Sequence, residues 1–166
     1  MLVLVSGFLW YKWKQDEPRR NCIQTLGQLD AALRTGNSPD LLKLICTPAA
    51  IQGRTAPEQA EFLTKALADE ISREGLAVLQ REGSFGPLTN LFPVEAENWT
   101  KQADVKPEDC VAFKLERKGL RAEVVLAREP DVGGQKSEVG DRYRIVRLNN
   151  VKQLAQTQLS TANSPP

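Results

Sequence analysis

The sequence predicts an α+β domain in which N-terminal helices pack on an antiparallel sheet, preceded by an apolar segment. Three observations lead to this fold class: helical periodicity in residues 22–74, a β-hairpin pattern in residues 110–128, and an apolar run at residues 1–11. The length of 166 residues is usual for one domain. We expect an apolar segment with a polar joint (1–21), one domain (22–152) and a disordered tail (153–166).

The composition restricts the chemistry of the protein. Charges nearly cancel, at 22 basic against 21 acidic residues, which gives no support for a nucleic-acid partner. There is no histidine, the commonest general base and metal ligand. Cys22, Cys46 and Cys110 lack CxxC spacing, so we predict buried free thiols, with one internal disulfide as the most that three cysteines allow. We therefore predict no metal or cofactor.

Residues 10–14 form a cluster of aromatic and basic side chains after the apolar run. Trp10, Tyr11 and Trp13 alternate with Lys12 and Lys14, a pattern typical of a membrane interface, where rings lie at headgroup level and lysines reach for water. The run is shorter than the about 20 residues of a membrane-spanning helix. Three alternatives stay open: the end of a longer transmembrane helix, a short anchor, or a first element packed on the core. We favour membrane association, with its side unassigned, over a soluble cytoplasmic protein.

The first part of the domain has the pattern of two short helices. Pro18 lies in the polar joint and is predicted to break any helix there. Apolar residues recur at helical spacing in residues 22–35, and Gly36 follows as a C-terminal cap. A second helix is predicted to begin with Ser38 as N-cap and Pro39 in its first turn.

A third helix is predicted from a capping box. Glu58 follows Thr55 by three residues, and apolar side chains then recur at helical spacing up to Glu74, before Gly75. We expect this to be the longest helix and to cover the apolar face of the hairpin. Residues 83–88, GSFGPL, predict a loop because Gly and Pro interrupt the pattern.

A short helix from Pro93 to Ala103 is expected next, with Trp99 facing inward. Residues 104–109 then form a turn that leads into the hairpin.

The hairpin has a register that can be written out from the sequence. A two-residue turn at Lys118–Gly119 pairs each apolar residue of one strand with an apolar residue of the other. One face then collects Val111, Phe113, Leu115, Leu120, Ala122, Val124 and Leu126. The opposite face is charged near the turn and is predicted to be solvated there.

The far end of that opposite face is apolar. Ala112, Val125 and Ala127 lie there, and we expect them to be covered and to be the place where the sheet contacts a partner, with a second copy in a homodimer as one candidate. A last strand is predicted over residues 142–148. Its Tyr143 and Ile145 continue the main apolar face, while Val146 and Leu148 extend the second.

These elements resemble the nuclear-transport-factor-two-like superfamily, also called cystatin-like. The resemblance rests on the helix–break–helix stretch of residues 29–42, LDAALRTGNSPDLL, and on the closing strand Tyr143–Val146, and it covers residues 22–151. It implies a cone of curved sheet wrapped on helices, and many bacterial members lie behind one apolar anchor without known activity. Catalytic members use His/Asp or Tyr/Asp sets in the cone. With no histidine and only two tyrosines here, no catalytic residue is carried over.

The sequence thus favours a non-catalytic domain, tethered to a membrane, that binds an unidentified ligand or protein. The alternative is a small-molecule enzyme of the isomerase or dehydratase kind that uses a carboxylate in a pocket. Its candidate residues are Asp30, Asp40, Glu70 and Tyr143. A carboxylate base needs burial or a charged neighbour to bring its pKa near working pH, so the alternative depends on a cavity between the third helix and the sheet.

Overall fold

A computed structural model describes residues 10–91, 96–117, 120–129 and 141–152 of the chain. Its helices are α1 (Glu17–Thr35), α2 (Ser38–Leu44), α3 (Ala56–Glu70), α4 (Arg73–Glu82), α5 (Leu88–Leu91) and α6 (Ala96–Ala103). Its strands are β1 (Ser84–Pro87), β2 (Cys110–Arg117), β3 (Leu120–Arg128) and β4 (Tyr143–Asn149). Most of the helices precede a sheet whose strands pair antiparallel in the order β1-β2-β3-β4. The α+β class is therefore confirmed.

The register of the central hairpin is the one that the alternation predicts. Phe113 lies opposite Val124, and Arg117 lies opposite Leu120. The turn residues 118–119 lie outside the described residues. A one-residue slip would move every apolar side chain to the wrong face, which explains why the pattern determines the pairing.

The prediction of a loop at residues 83–88 was wrong. Ser84–Pro87 forms β1, and Phe85 lies opposite Phe113 on β2, with their ring centroids 5.1 Å apart. A proline in a central strand would remove a backbone N–H that a neighbouring strand needs. Strand β1 is at the edge of the sheet, where Pro87 can lie without breaking the hydrogen bonds between strands.

The main core lies between the helices and one face of the sheet. Its largest fully buried side chain is Phe113, which belongs to one cluster with buried leucines of the helices such as Leu26 and Leu79. Helix α1 packs against β4 and α4, and α4 against β2. Helix α3 packs mainly on α2, and its Leu63 and Leu67 belong to the same buried core as Phe113 of the hairpin, so this third helix contributes to the cover without being its main part.

The capping box is confirmed, but the end predicted for its helix was wrong. The Thr55 backbone N–H donates to Glu58 Oε2 at 2.8 Å, and α3 begins at the next residue. The helix stops at Glu70, and Ser72 starts α4 by accepting a hydrogen bond from the backbone N–H of Gly75. The longest described helix is instead α1, with 19 residues.

Gly75 therefore lies inside a helix. A Cβ placed on it would be 1.9 Å from the backbone oxygen of Val151, so the glycine permits close contact between α4 and the end of the described chain.

Pro18 does not break the first helix, because it lies in its first turn. There its missing N–H would have no helical partner in any case. Backbone hydrogen bonds from Asp16 to Lys12 (3.1 Å) and from Arg20 to Asp16 (3.0 Å) join helical residues 10–15 to α1.

The C-cap of α1 is Gly36, as predicted, with φ of 63°. The N-cap of α2 is Asn37 and not Ser38, which is the first residue of the helix.

The second face of the sheet is covered by the chain itself. Ala112, Val125 and Ala127 are buried in a second core with Trp99 of α6 and Leu88 of α5. The inward position of Trp99 is confirmed. Because the three sheet residues are 0%, 0% and 3% exposed, they offer no open surface for the homodimer contact expected there.

A β-bulge corrects the prediction for the last strand. Leu126 lies opposite Ile145 and Val125 opposite Arg147, so Val146 is an extra residue. The bulge reverses the alternation, and Leu148 packs on the main core rather than with Val146 on the second.

Candidate functional site

The aromatic cluster of residues 10–14 lies on the surface. Trp10, Tyr11 and Trp13 are 60%, 59% and 59% exposed, and residues 10–15 are helical. Among the described residues, Phe62 is the only other large hydrophobic side chain that is exposed, at 38%. These three aromatic side chains therefore do not pack on the core.

Each of the two indole rings has a cation beside it. Lys14 Nζ lies 5.0 Å from the centre of the Trp10 ring, and the Arg20 guanidinium lies 4.5 Å from the Trp13 ring. Gln15 donates a hydrogen bond to the Tyr11 hydroxyl at 3.0 Å. The surface thus combines apolar rings with cations at contact distance, as the pattern of residues 10–14 predicts.

In the part of the chain that the structure describes, no helix has the length and apolar character needed to cross a membrane. Residues 1–9, most of the apolar run, lie outside the described residues. The choice among a short anchor, the end of a longer transmembrane helix and a first element packed on the core therefore stays a prediction for the apolar run.

A cavity of about 900 Å³ lies between α1, α2 and the start of β4. Its α1 wall carries the amides of Asn21, Gln24 and Gln28, whose spacing of three and four residues puts them on one helix face. Asn21 Nδ2 is buried, and the described structure gives it no hydrogen-bond partner. A buried amide donor without a partner favours an acceptor group from a ligand or water in the cavity.

The charged residues that line the cavity are mostly paired. Asp40 accepts from Lys43 at 3.0 Å, and Glu129 lies 3.5 Å from Arg144. The Arg144 guanidinium also donates to the backbone oxygens of Leu42 (3.2 Å) and Ile45 (2.7 Å), which ties α2 to β4. These charges therefore hold the walls of the cavity together.

The structure brings two of the four candidates for the enzyme alternative to this cavity. Asp40 and Tyr143 line it, whereas Asp30 pairs with Arg34 on α1 and Glu70 is exposed on α3. Burial is the main cause that raises the pKa of Tyr143 to about 12, so its phenol is protonated at neutral pH. Asp40 is the one carboxylate of the candidate set at the cavity, and its side chain is 46% exposed.

The three cysteines are free and buried, as predicted. Burial raises the pKa of all three thiols, that of Cys110 to about 12, where Cys46 and the nearby acidic residues add to the effect. The thiolate, which is the reactive form, is therefore rare at neutral pH. Within the described ranges, no three His, Cys, Asp or Glu side chains are grouped to hold a metal ion.

One charged residue near the hairpin turn is not solvated as predicted. Glu123 is 1% exposed, with Arg121 Nε 2.8 Å from its Oε2 and Asn149 Nδ2 3.5 Å from its Oε1. Because the Glu123 carboxylate has an ion-pair partner and an amide partner within the fold, its burial does not indicate a ligand-binding site.

The sequence pointed to the aromatic surface but missed the cavity. The amide spacing on α1 was the available signal, yet the opposite wall comes from β4, more than a hundred residues later. Comparisons of the chain with protein-family models, with curated proteins and with solved structures find no match.

Proposed function

We propose that this protein is a non-catalytic binding domain held at a membrane surface by residues 10–20. The observation that carries the proposal is the exposure of Trp10, Tyr11 and Trp13, at about three fifths each. Exposed large apolar side chains that are close together on a protein surface favour an interaction site. Moving about 100 Å² of each ring out of water would stabilise binding by about 2–3 kcal/mol per side chain.

The composition of the segment favours a lipid surface over a protein partner. Tryptophan and tyrosine are the residues enriched at headgroup level, where lysine and arginine reach the aqueous side. The apolar run of residues 1–9 leads directly into the aromatics, and four basic residues lie between positions 12 and 20. This order of an apolar run, then aromatic residues, then basic residues matches the layers of a membrane surface, whereas binding to a protein does not require it.

The cavity between α1 and β4 supports the ligand-binding part of the proposal. Its volume falls in the range of small-molecule sites, and the Asn21 amide offers a donor. The enzyme alternative depends on Asp40 as base, with Tyr143 as a proton donor. We rank it second, because Asp40 is half exposed and engaged by Lys43 and Asn37.

Membership of the nuclear-transport-factor-two-like superfamily also stays a proposal. Helices that precede an antiparallel sheet with strands in sequential order support it, as does the position of α1 against the sheet. The main core packs tightly around Phe113, and the cavity lies at the edge of the sheet beside β4.

Replacement of the three aromatics should abolish membrane binding. We expect Trp10→Ser/Tyr11→Ser/Trp13→Ser to lower the vesicle-bound fraction of the full chain by about tenfold or more, since each ring supplies more than the about 1.4 kcal/mol that a tenfold change represents. Co-sedimentation with phospholipid vesicles measures it. The rings are exposed, so the free energy of unfolding should stay nearly unchanged.

Phe62→Ser is the matched control, because it removes an exposed aromatic from α3, away from the segment. It should bind vesicles as the natural chain does. If the natural chain stays in the supernatant with every vesicle composition, the proposed membrane role is wrong.

A further inference from the structure

We infer that the surface formed by residues 10–20 binds anionic phospholipid headgroups, in preference to neutral ones, through Lys12, Lys14 and Arg20. The inference rests on the proposed membrane role and names its lipid partner. The segment carries four basic residues (the fourth is Arg19) against two acidic residues, Asp16 and Glu17, so its net charge is +2, although the whole chain carries only +1.

The cations of this segment contact aromatic rings, as Lys14, Arg19 and Arg20 do, and are not neutralised by carboxylates in the part of the chain that the structure describes. Among the described residues, no carboxylate forms an ion pair with Lys12, Lys14, Arg19 or Arg20. Other surface cations do pair with carboxylates: Arg34 with Asp30, Lys43 with Asp40 and Arg128 with Asp109.

The positions of the cations fit a phosphate at the level of the rings. Residues 10, 13, 14 and 20 lie on one side of the helix, because spacings of three, four and seven residues return to the same face. Lys14 Nζ lies 5.0 Å from the centre of the Trp10 ring, and the Arg20 guanidinium lies 4.5 Å from the centre of the Trp13 ring. When the rings lie among headgroups, Lys14 and Arg20 are therefore at the depth of the phosphates. Lys12 lies on another side of the helix and contributes attraction over a longer distance, within the Debye length of about 8–10 Å.

Arg19 connects this surface to the fold. Its guanidinium lies 5.7 Å from the centre of the buried Phe113 ring, at the edge of the main core. Residues 10–15 continue into α1 through backbone hydrogen bonds, and α1 packs on the core. We therefore keep Arg19 unchanged in the test, so that loss of binding reports headgroup contacts and not damage to the core.

The size of the effect follows from the three cations that the variant neutralises. Each Lys or Arg near an anionic membrane surface strengthens binding by about fivefold, the equivalent of about 1 kcal/mol. Neutralising Lys12, Lys14 and Arg20 together should therefore weaken binding to anionic vesicles by about 100-fold. Binding to neutral vesicles, which depends on the rings, should change little.

Co-sedimentation of the full chain with phosphatidylcholine vesicles, and with vesicles that contain phosphatidylglycerol as well, tests this inference. We expect tighter binding to the second kind, reduced when salt rises from about 0.1 M to about 0.5 M. Lys12→Gln/Lys14→Gln/Arg20→Gln should remove that preference. The control Lys65→Gln/Lys106→Gln/Arg142→Gln removes the same charge from exposed positions elsewhere and should retain it.

The outcomes distinguish the preference for anionic lipids from the membrane role on which it rests. Equal binding to both kinds of vesicle would overturn the anionic preference and leave the membrane role standing. Binding to neither kind would overturn both. If the control variant loses the preference as fully as the Lys12, Lys14 and Arg20 variant, net charge and not this surface explains it, and the inference is wrong.

Discussion

Phe113→Ala is expected to lower the free energy of unfolding by about 3–5 kcal/mol, the largest effect of a single substitution that we expect in this chain. Phe113 is 0% exposed and is the largest fully buried side chain of the main core. It contacts the Phe85 ring on β1 and lies opposite Val124 on β3, so its removal leaves a cavity between three strands and the helices. Denaturant unfolding followed by circular dichroism measures the change.

Phe62→Ala provides the comparison, because it makes the same chemical change on an exposed side chain of α3. It should cost less than about 1 kcal/mol, the range of surface substitutions and of a lost cation–π contact with Arg54. Phe113→Leu keeps more of the side-chain volume, so its loss in free energy of unfolding should lie between those of Phe62→Ala and Phe113→Ala. It replaces Phe113→Ala in the comparison if that variant does not fold. Equal destabilisation by Phe62→Ala and Phe113→Ala would contradict this core.

Gly75→Ala is expected to destabilise the protein by about 1–3 kcal/mol, although alanine favours helices. Gly75 lies inside α4, and an added Cβ would be 1.9 Å from the Val151 backbone oxygen and 2.9 Å from its carbonyl carbon. Backbone atoms cannot rotate away as a flexible side chain can. Either α4 or the chain after β4 must move, and both carry buried side chains of the main core.

Gly27→Ala should have the opposite sign. Gly27 is exposed inside α1, and nothing lies within 4 Å of the position of its added Cβ. Helix propensity then acts alone and should stabilise the protein by about 0.5–1 kcal/mol. Thermal and denaturant unfolding of both variants compare the two sites. A Gly75→Ala variant more stable than the natural chain would show that α4 and Val151 are not in contact.

The hairpin could be predicted because its information is local. Alternation along residues 110–128 commits one face to the core, and the same register places the opposite charges of Glu116 and Arg121 across from each other. The capping box at Thr55 and the C-cap at Gly36 were likewise local signals, and both are confirmed. Such features depend on residues a few positions apart.

The features that sequence reasoning missed all depend on distant partners. Gly75 resembled a helix end, but contact with Val151 explains it. Residues 84–87 resembled a loop, but pairing with β2 makes them a strand. The bulge at Val146 and the burial of Glu123 likewise follow from how β4 lies against β3. No pattern within one segment contains that information.

The same distinction applies to the candidate sites. The aromatic surface was predictable because all of its residues lie within eleven consecutive positions, 10–20. The cavity was not, since the Thr25 hydroxyl on its α1 wall donates to the Tyr143 backbone oxygen at 3.4 Å, across 118 positions of sequence. The resemblance to a cone-shaped fold predicts a cavity between the third helix and the sheet, whereas the cavity lies at the β4 edge of the sheet.

Tryptophan fluorescence tests the central proposal most directly, because the chain has three tryptophans in two environments. Trp10 and Trp13 are exposed, and Trp99 is 7% exposed in the second core. Trp99→Phe leaves only the two surface reporters, while Trp10→Phe/Trp13→Phe leaves only the buried one. Circular dichroism checks that both variants are folded.

In buffer, iodide should quench the Trp99→Phe variant strongly and the Trp10→Phe/Trp13→Phe variant weakly. Added anionic vesicles should shift the emission of the Trp99→Phe variant to the blue and protect it from iodide, since the rings then lie at headgroup level. The other variant should not change. If Trp10 and Trp13 remain as accessible to iodide with vesicles as without them, residues 10–20 do not bind a membrane surface.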